Sequence, residues 1–265
     1  MNDGKAVKKK VIALEGRLRG CRNVITLGVR TNFNDYSDSD KALIRRADKI
    51  YYPSAFYADL FDAMAKPIFP SYHNYKCVQD KIKQSALFAM AGIPHPRTRV
   101  FYGKRQKATI DRLFAYPFIG KTPRGSAMGR GVFLIRDAAE LNDYLDMNQP
   151  AYIQEYLPID RDIRIVVIGR RVVHAYWRLA PAGEFRTNVA VGGSIRLDDI
   201  PDPALELARQ TAQQCGWDDV GIDICLHGGQ YFVLEANMKY GKEGFRKAGI
   251  EYNRLMESMI ENGEI

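Results

Sequence analysis

Apolar and polar positions along the chain change period several times, and each change marks an element. Residues 23–31 read as a buried strand running into a loop, 39–47 as a short helix, 49–52 as a strand, and 54–64 as a second helix with Ser54 as its N-cap. Pro67 and Pro70 then break the pattern, which places a boundary near Tyr75, with a small α/β domain over 1–76 and a second domain over 77–265. In the second, Ile82, Ala86, Ala89 and Met90 have helical spacing, and Gly92 ahead of Pro94 ends that helix. Residues 117–121 and 132–136 read as strands around a glycine-rich loop. Asp137 with Glu140 makes a capping box for a helix through Leu145, and 151–157 is a further strand. Residues 162–168 and 172–179 form a hairpin turned by Gly169-Arg170. Asp202 reads as an N-cap with Pro203 at the first helical position, and Gly216 stops that helix after Cys215. Residues 221–226 and 231–237 form a second hairpin around Gly228-Gly229. The class is α+β, with mostly antiparallel sheets in the second part.

The last hairpin can be read by parity. Ile222, Ile224 and Leu226 alternate with Gly221, Asp223 and Cys225, and Phe232, Leu234 and Ala236 alternate with Tyr231, Val233, Glu235 and Asn237. Side chains change face at every residue, so burying both apolar sets on one face requires paired positions whose numbers sum to an even value, such as 224 with 234. That register puts Asp223, Glu235 and Asn237 on one shared face and predicts an odd-length loop. Two carboxylates and an amide oxygen on one rigid face suit Mg²⁺, a hard cation that prefers oxygen ligands. A solvent-facing polar strand face has the same pattern.

Composition narrows the possibilities. At 265 residues the chain has room for about two domains. Cys21, Cys77, Cys215 and Cys225 have no CxxC spacing and read as reduced thiols of a cytoplasmic protein. The four histidines form no zinc motif, and no apolar stretch is long enough to span a membrane. The net charge is +8, and the first 22 residues hold seven basic against two acidic side chains. That cluster reads as a solvated, partly frayed terminus. No base-reading module accompanies it, so nucleic acid is not the expected partner.

The loop KTPRGSAMGRGV (121–132) puts Lys121 at a strand end and glycines at 125, 129 and 131, with Ser126 among them. Such a loop lets backbone N–H groups cradle phosphate oxygens, although it is neither a Walker A loop nor a dinucleotide fingerprint, and a plain flexible hairpin loop has the same composition. Asp162 and Arg164 share a face opposite Ile163, Ile165 and Val167. Arg186 and Asn188 follow in FRTN. Arginine forks suit phosphate or carboxylate, and equally suit surface ion pairs.

The order of these pieces is more specific than any of them. Asp80-Lys81, AGIPHPRT (91–98), Lys121 with its glycine loop, QEYL (154–157), DIRIVVIG (162–169), GEFRTN (183–188), the 192–193 glycine pair, VGID (220–223) and LEAN (234–237) follow one another. This resembles the ATP-grasp superfamily, and within it the RimK-type glutamate ligases, over about residues 77–245. The resemblance implies two α+β lobes gripping ATP behind a small N-terminal α/β domain. Lys81 and Lys121 would hold ATP phosphates under the loop of Gly125, Ser126, Gly129 and Gly131. Glu155 and Tyr156 would meet the adenine and ribose, and Asp162, Arg186 and Asn188 would line the same nucleotide site. Asp223, Glu235 and Asn237 would bind Mg²⁺, with Mn²⁺ able to replace it. Arg164 and Arg186 are the candidate catalytic cations. The implied reaction joins an amine, such as an amino acid, to a small-molecule or peptide carboxylate through an acyl phosphate.

Two positions depart from that group. Val191 precedes the glycine pair where a basic residue is usual, and Met238-Lys239-Tyr240-Gly241 replaces a run of small residues and a proline. Desolvating a second carboxylate requires a paired cation. The departures therefore predict an amine donor less acidic than glutamate, or one held by Lys239. An ATP-grasp kinase without an amine acceptor would share the ATP site. A nucleic-acid-binding module would need that site to be degenerate, which the retained Lys121, Asp223, Glu235 and Asn237 argue against.

Overall fold

The computed structural model describes residues 10–125, 131–189 and 192–265. A parallel sheet comes first, with β1 (Val11–Ala13), β2 (Val24–Thr26), β3 (Ile50–Tyr51) and β4 (Ile68–Phe69) in the order β2-β1-β3-β4. An antiparallel sheet follows, in which β5 (Thr98–Phe101), β6 (Phe118–Lys121), β7 (Val132–Ile135) and β8 (Ala151–Glu155) take the order β5-β8-β6-β7. The third sheet is also antiparallel. Its strands β9 (Arg161–Ile168), β10 (Arg171–Leu179), β11 (Ser194–Arg196), β12 (Asp219–His227) and β13 (Gln230–Asn237) run β11-β10-β9-β12-β13. The class is α+β, as the alternating patterns required. Among the described residues no helix is long and apolar enough to cross a membrane.

β1 was not legible, and the reading of the first 22 residues as frayed is corrected for the part described. β1 is an inner strand of the parallel sheet, and Ala13, Leu14 and Leu18 are fully buried. A three-residue strand covered on both faces gives a short apolar run with no period to detect.

The helix ends read from the sequence hold at Gly92, Gly216 and Asp137 and depart at Asp202 and Ser54. Gly92 and Gly216 end their helices at φ 67° and 68°, a left-handed conformation that glycine adopts without strain. Asp137 accepts the Glu140 N–H at 2.9 Å as expected. Asp202, however, is the first helical residue rather than the cap, which is Pro201. Ser54 holds the N-cap position at φ 78° without making a capping bond.

The two faces of the third sheet have different jobs. Ile163, Ile165, Val167, Ile222, Ile224 and Val233 pack against Ala204, Ala208 and Ala212 of the helix Asp202–Cys215. On the opposite face, Val166 and Ile168 join Ala13, Tyr51 and Phe69 of the first sheet and Met256 and Met259 of the helix Tyr252–Glu261 in one core. The remainder of that face, toward residues 162–164, is polar and looks onto the second sheet.

Both hairpins of the third sheet change register partway. Gly228 and Gly229, at φ 55° and 78°, form a two-residue turn that pairs His227 with Gln230 and Ile224 with Val233. The expected odd-length loop and the 224–234 pairing are therefore wrong. A bulge at Leu234 then restores the even-sum register, and Asp223 faces Glu235 while Gly221 faces Asn237. Val233 takes the buried place expected for Leu234, and Leu234 turns to the polar side. The first hairpin does the same at Val173, so that Arg178 rather than Trp177 stands opposite Asp162.

Candidate active site

The polar face is built as rows across strands. One row runs Tyr176, Arg164, Asp223, Glu235 over β10, β9, β12 and β13, and the next pairs Arg178 with Asp162. Like charges directly opposite repel, so Asp223 beside Glu235 requires compensating cations. They are present. Asp223 is gripped by the Arg164 fork, with Arg164 Nη2 3.0 Å from Oδ2, and Arg178 Nη2 lies 2.9 Å from the same oxygen. Burial opposes the Asp223 charge, but Arg164 and Arg178 outweigh it and hold the carboxyl below its ordinary range. Gly221 makes room for this grip, because a Cβ there would come 3.0 Å from Arg164 Cδ and 2.9 Å from Tyr240 Cβ.

Lysines approach from the other side. Lys121 ends β6 and is buried, and Lys81 Nζ lies 3.6 Å from Glu235 Oε1. Backbone bonds bring the lysine-bearing segments together: Lys81 donates to the Pro123 carbonyl at 3.0 Å and Gly125 to that of Gln79 at 3.1 Å. Burial pushes Lys121 down to about 8, with Glu235 pulling it up and Lys81 pushing it further down.

Between the second and third sheets lies a cleft. Lys121, Glu155, Tyr156, Asp162, Arg186, Asn188, Asp223 and Glu235 line it, so most of the candidates read from the sequence converge there. Glu155 ends β8, and the segment after it carries Tyr156, Leu157 and Ile159 across to the third sheet. Ile119, Val132 and Leu234 supply apolar walls, as a flat base requires. Lys81, Arg164 and Asn237 stand behind the lining, with Asn237 Nδ2 donating to Asp223 Oδ2 at 3.2 Å. Gly125 and Gly131 have φ 69° and 75° at the two ends of the glycine loop. Ser126, Gly129 and Val191 lie outside the described residues.

Arg186 and Arg164 are less available than expected of catalytic cations. Arg186 Nη2 pairs with Glu184 Oε2 at 2.7 Å, and Arg164 is committed to Asp223. Arg178 and Thr187 were missed. Arg178 donates to both oxygens of Asp162, Nε to Oδ1 at 2.7 Å, and Thr187 Oγ1 donates to Asp162 Oδ2 at 2.6 Å. The bulge at Val173 hid Arg178. Thr187 stood in the FRTN motif unremarked.

Two sheets closing on a cleft lined by Lys121 and the Asp223–Glu235 pair, with Lys81 behind it, fit the ATP-grasp class, and a solved RimK-domain ATP-grasp protein from Sphaerobacter thermophilus has the same fold (TM-score 0.69, 16% identity, 94% of this chain and 98% of that one). The chain belongs to the RimK-like ATP-grasp domain family, which matches residues 78–260. A probable alpha-L-glutamate ligase of Enterobacter sp. (strain 638) is 34% identical over 191 residues, which are 69% of this chain and 63% of that protein. A ribosomal protein bS6–L-glutamate ligase of Salmonella paratyphi B is 31% identical over the same shares. The chain thus spans less than two thirds of the length of these curated relatives.

Proposed function

We propose that the protein is an ATP-dependent ligase that joins a carboxylate to an amine through an acyl phosphate. The observation that carries this reading is the Asp223–Glu235 pair held beside Lys121 and Lys81 on the wall of the cleft. A carboxylate alone is a poor electrophile. Attack of its oxygen on the γ-phosphorus of ATP breaks the bond to ADP and creates an acyl phosphate. Attack of an amine nitrogen on the acyl carbon then expels phosphate with the bonding electrons, and the amine gives up a proton.

Lys121 and Lys81 would steady the phosphate charges, and Arg164 would hold Asp223 in position. Among the described residues no three His, Cys, Asp or Glu side chains cluster, and the proposed ligands are the Asp223 and Glu235 carboxylates with the Asn237 amide oxygen. Asp223, Glu235 and Asn237 suit Mg²⁺, or Mn²⁺, because they give few, hard oxygen ligands and leave the rest to phosphates. When bound, the ion would neutralise phosphate charge. Four free, buried cysteines and the use of ATP support a reducing, cytoplasmic setting.

The acceptor is a small-molecule or peptide carboxylate. The amine donor is an amino acid other than glutamate, or one held by Lys239. The test is ADP and phosphate release over amino acids paired with carboxylate acceptors. Release that depends on both partners is expected, and release indifferent to every amine would reduce the activity to phosphoryl transfer alone. Strong glutamate preference that survives Lys239→Ala would overturn the assignment of the donor.

A further inference from the structure

A second cavity, of about 230 Å³, lies between the turn after β1, the helix Tyr72–Cys77 and the residues that follow Asn237. Glu15, Arg17, Tyr75, Met238 and Lys239 are among its walls. Met238 and Lys239 follow Asn237 directly, so the cavity and the carboxylate row share one strand end.

Arg17 is unusual. Its guanidinium lies 4.4 Å from the Tyr240 ring centre and 5.1 Å from that of Tyr252. Nε donates to the Tyr252 hydroxyl at 3.1 Å and Nη1 to the Tyr240 carbonyl at 3.0 Å. Nη2 is buried and has no acceptor. Among the described residues no carboxylate comes within ion-pair distance. Asp219 is electrostatically coupled to Arg17, but its two oxygens accept from Tyr52 and Tyr240 instead. The Tyr75 hydroxyl is also buried, near the Ser54 backbone but outside hydrogen-bonding geometry. Glu15 also interacts electrostatically with Arg17, and the surroundings together favour its charged form despite burial, so what the site leaves open is the hydrogen-bonding capacity of Nη2.

We infer that this cavity seats the amine-donating amino acid, with a carboxylate of that substrate held by Arg17 and the Tyr75 hydroxyl. A carboxylate oxygen is a strong acceptor for the one guanidinium nitrogen left without a partner, and the Tyr75 side chain lines the same cavity. Glu15 stands in the same wall, which disfavours a doubly charged phosphate and suits an ammonium group. The inference rests on the ligase reading.

Thermal stabilisation tests it. The full chain is melted with Mg²⁺ and a non-hydrolysable ATP analogue, alone and with each of the twenty standard amino acids. At least one amino acid raises the midpoint, and its carboxamide does not. Arg17→Met raises the half-saturating concentration roughly 10- to 100-fold, the loss expected for a charged hydrogen bond. Tyr75→Phe raises it less, and it carries the test if Arg17→Met fails to fold. The nucleotide analogue still stabilises both variants. The inference falls if no amino acid stabilises a wild-type protein that binds the analogue, if the carboxamide works as well, or if affinity survives both substitutions. Failure of the analogue to stabilise the wild type would instead sink the nucleotide reading beneath it.

Discussion

Asp223 and Glu235 stand directly opposite one another on β12 and β13, one residue from the bulge that makes their pairing possible. Arg164 and Arg178 on Asp223 and Lys81 on Glu235 compensate the two carboxylates in that relation. Glu235→Gln should lower ADP formation by roughly a hundredfold or more, the scale seen when one transition-state contact is removed. Lys81 and Lys121 lose their compensating charge in that variant, so the melting midpoint should fall as well. ADP release and calorimetry on one preparation check both halves, and full activity in the variant would contradict the assignment.

Lys121 carries a cost that has a pH signature. Its folded pKa, about 8, lies below the 10.5 of an ordinary lysine. Below pH 8 both folded and unfolded states hold the proton, and the folded state bears the full burial penalty. Between 8 and 10.5 the unfolded state alone holds it, so stability rises with pH by a few kcal/mol in all. Lys121→Met should be more stable than the wild type at pH 7, should lose that rise, and should bind ATP more weakly. Denaturant midpoints across pH 7–10.5 and ATP titrations measure it. A variant with unchanged ATP affinity would remove Lys121 from the phosphate site.

Gly193 guards the far wall of the cleft. A Cβ there would lie 2.2 Å from the Thr187 carbonyl oxygen and 2.9 Å from that of Asn188. Gly193→Ala must therefore displace the segment whose Thr187 binds Asp162. The expected result is a raised KM for ATP, about tenfold, with the circular dichroism spectrum retained. An unchanged KM would show that this segment does not touch the nucleotide.

Asp219 joins the first and third sheets. It is fully buried and accepts the Tyr52 hydroxyl at 2.7 Å and the Tyr240 hydroxyl at 2.6 Å, while burial raises its pKa. Tyr52→Phe leaves one oxygen without its donor and should cost about 1–3 kcal/mol. Urea unfolding measures the loss. No loss would mean that water replaces the hydroxyl.

The helix stops at Gly92 and Gly216, the strands of both hairpins and the pairing of Asp223 with Glu235 were legible because each rests on local period or turn chemistry, whereas the convergence of Lys121 and Asp162 on that pair was legible only through the family resemblance. What failed needed information from outside the element. Parity correctly placed Asp223 with Glu235 but gave the wrong loop, since a bulge can correct a register anywhere along a strand and Leu234 carries no mark of it. The bulge at Val173 concealed Arg178 in the same way. Arg17 lay in a basic run that reads as solvated, and only the packing of Tyr240 and Tyr252 around it shows otherwise.

The bulge at Leu234 splits its hairpin into two mechanically separate parts. Alignment of the part holding Asp223 is dictated by the charges around it, and alignment of the part beyond Ile224 is dictated by the two glycines. Only the tip of the outer part is free of the core, since Ile224, Cys225 and Val233 are buried. A longer loop or a reporter group grafted between His227 and Gln230 would fall on the outermost pairs, His227–Gln230 and Leu226–Tyr231, where Leu226 is exposed. The tolerance of this hairpin to insertion begins only four positions from Asp223, its least tolerant carboxylate.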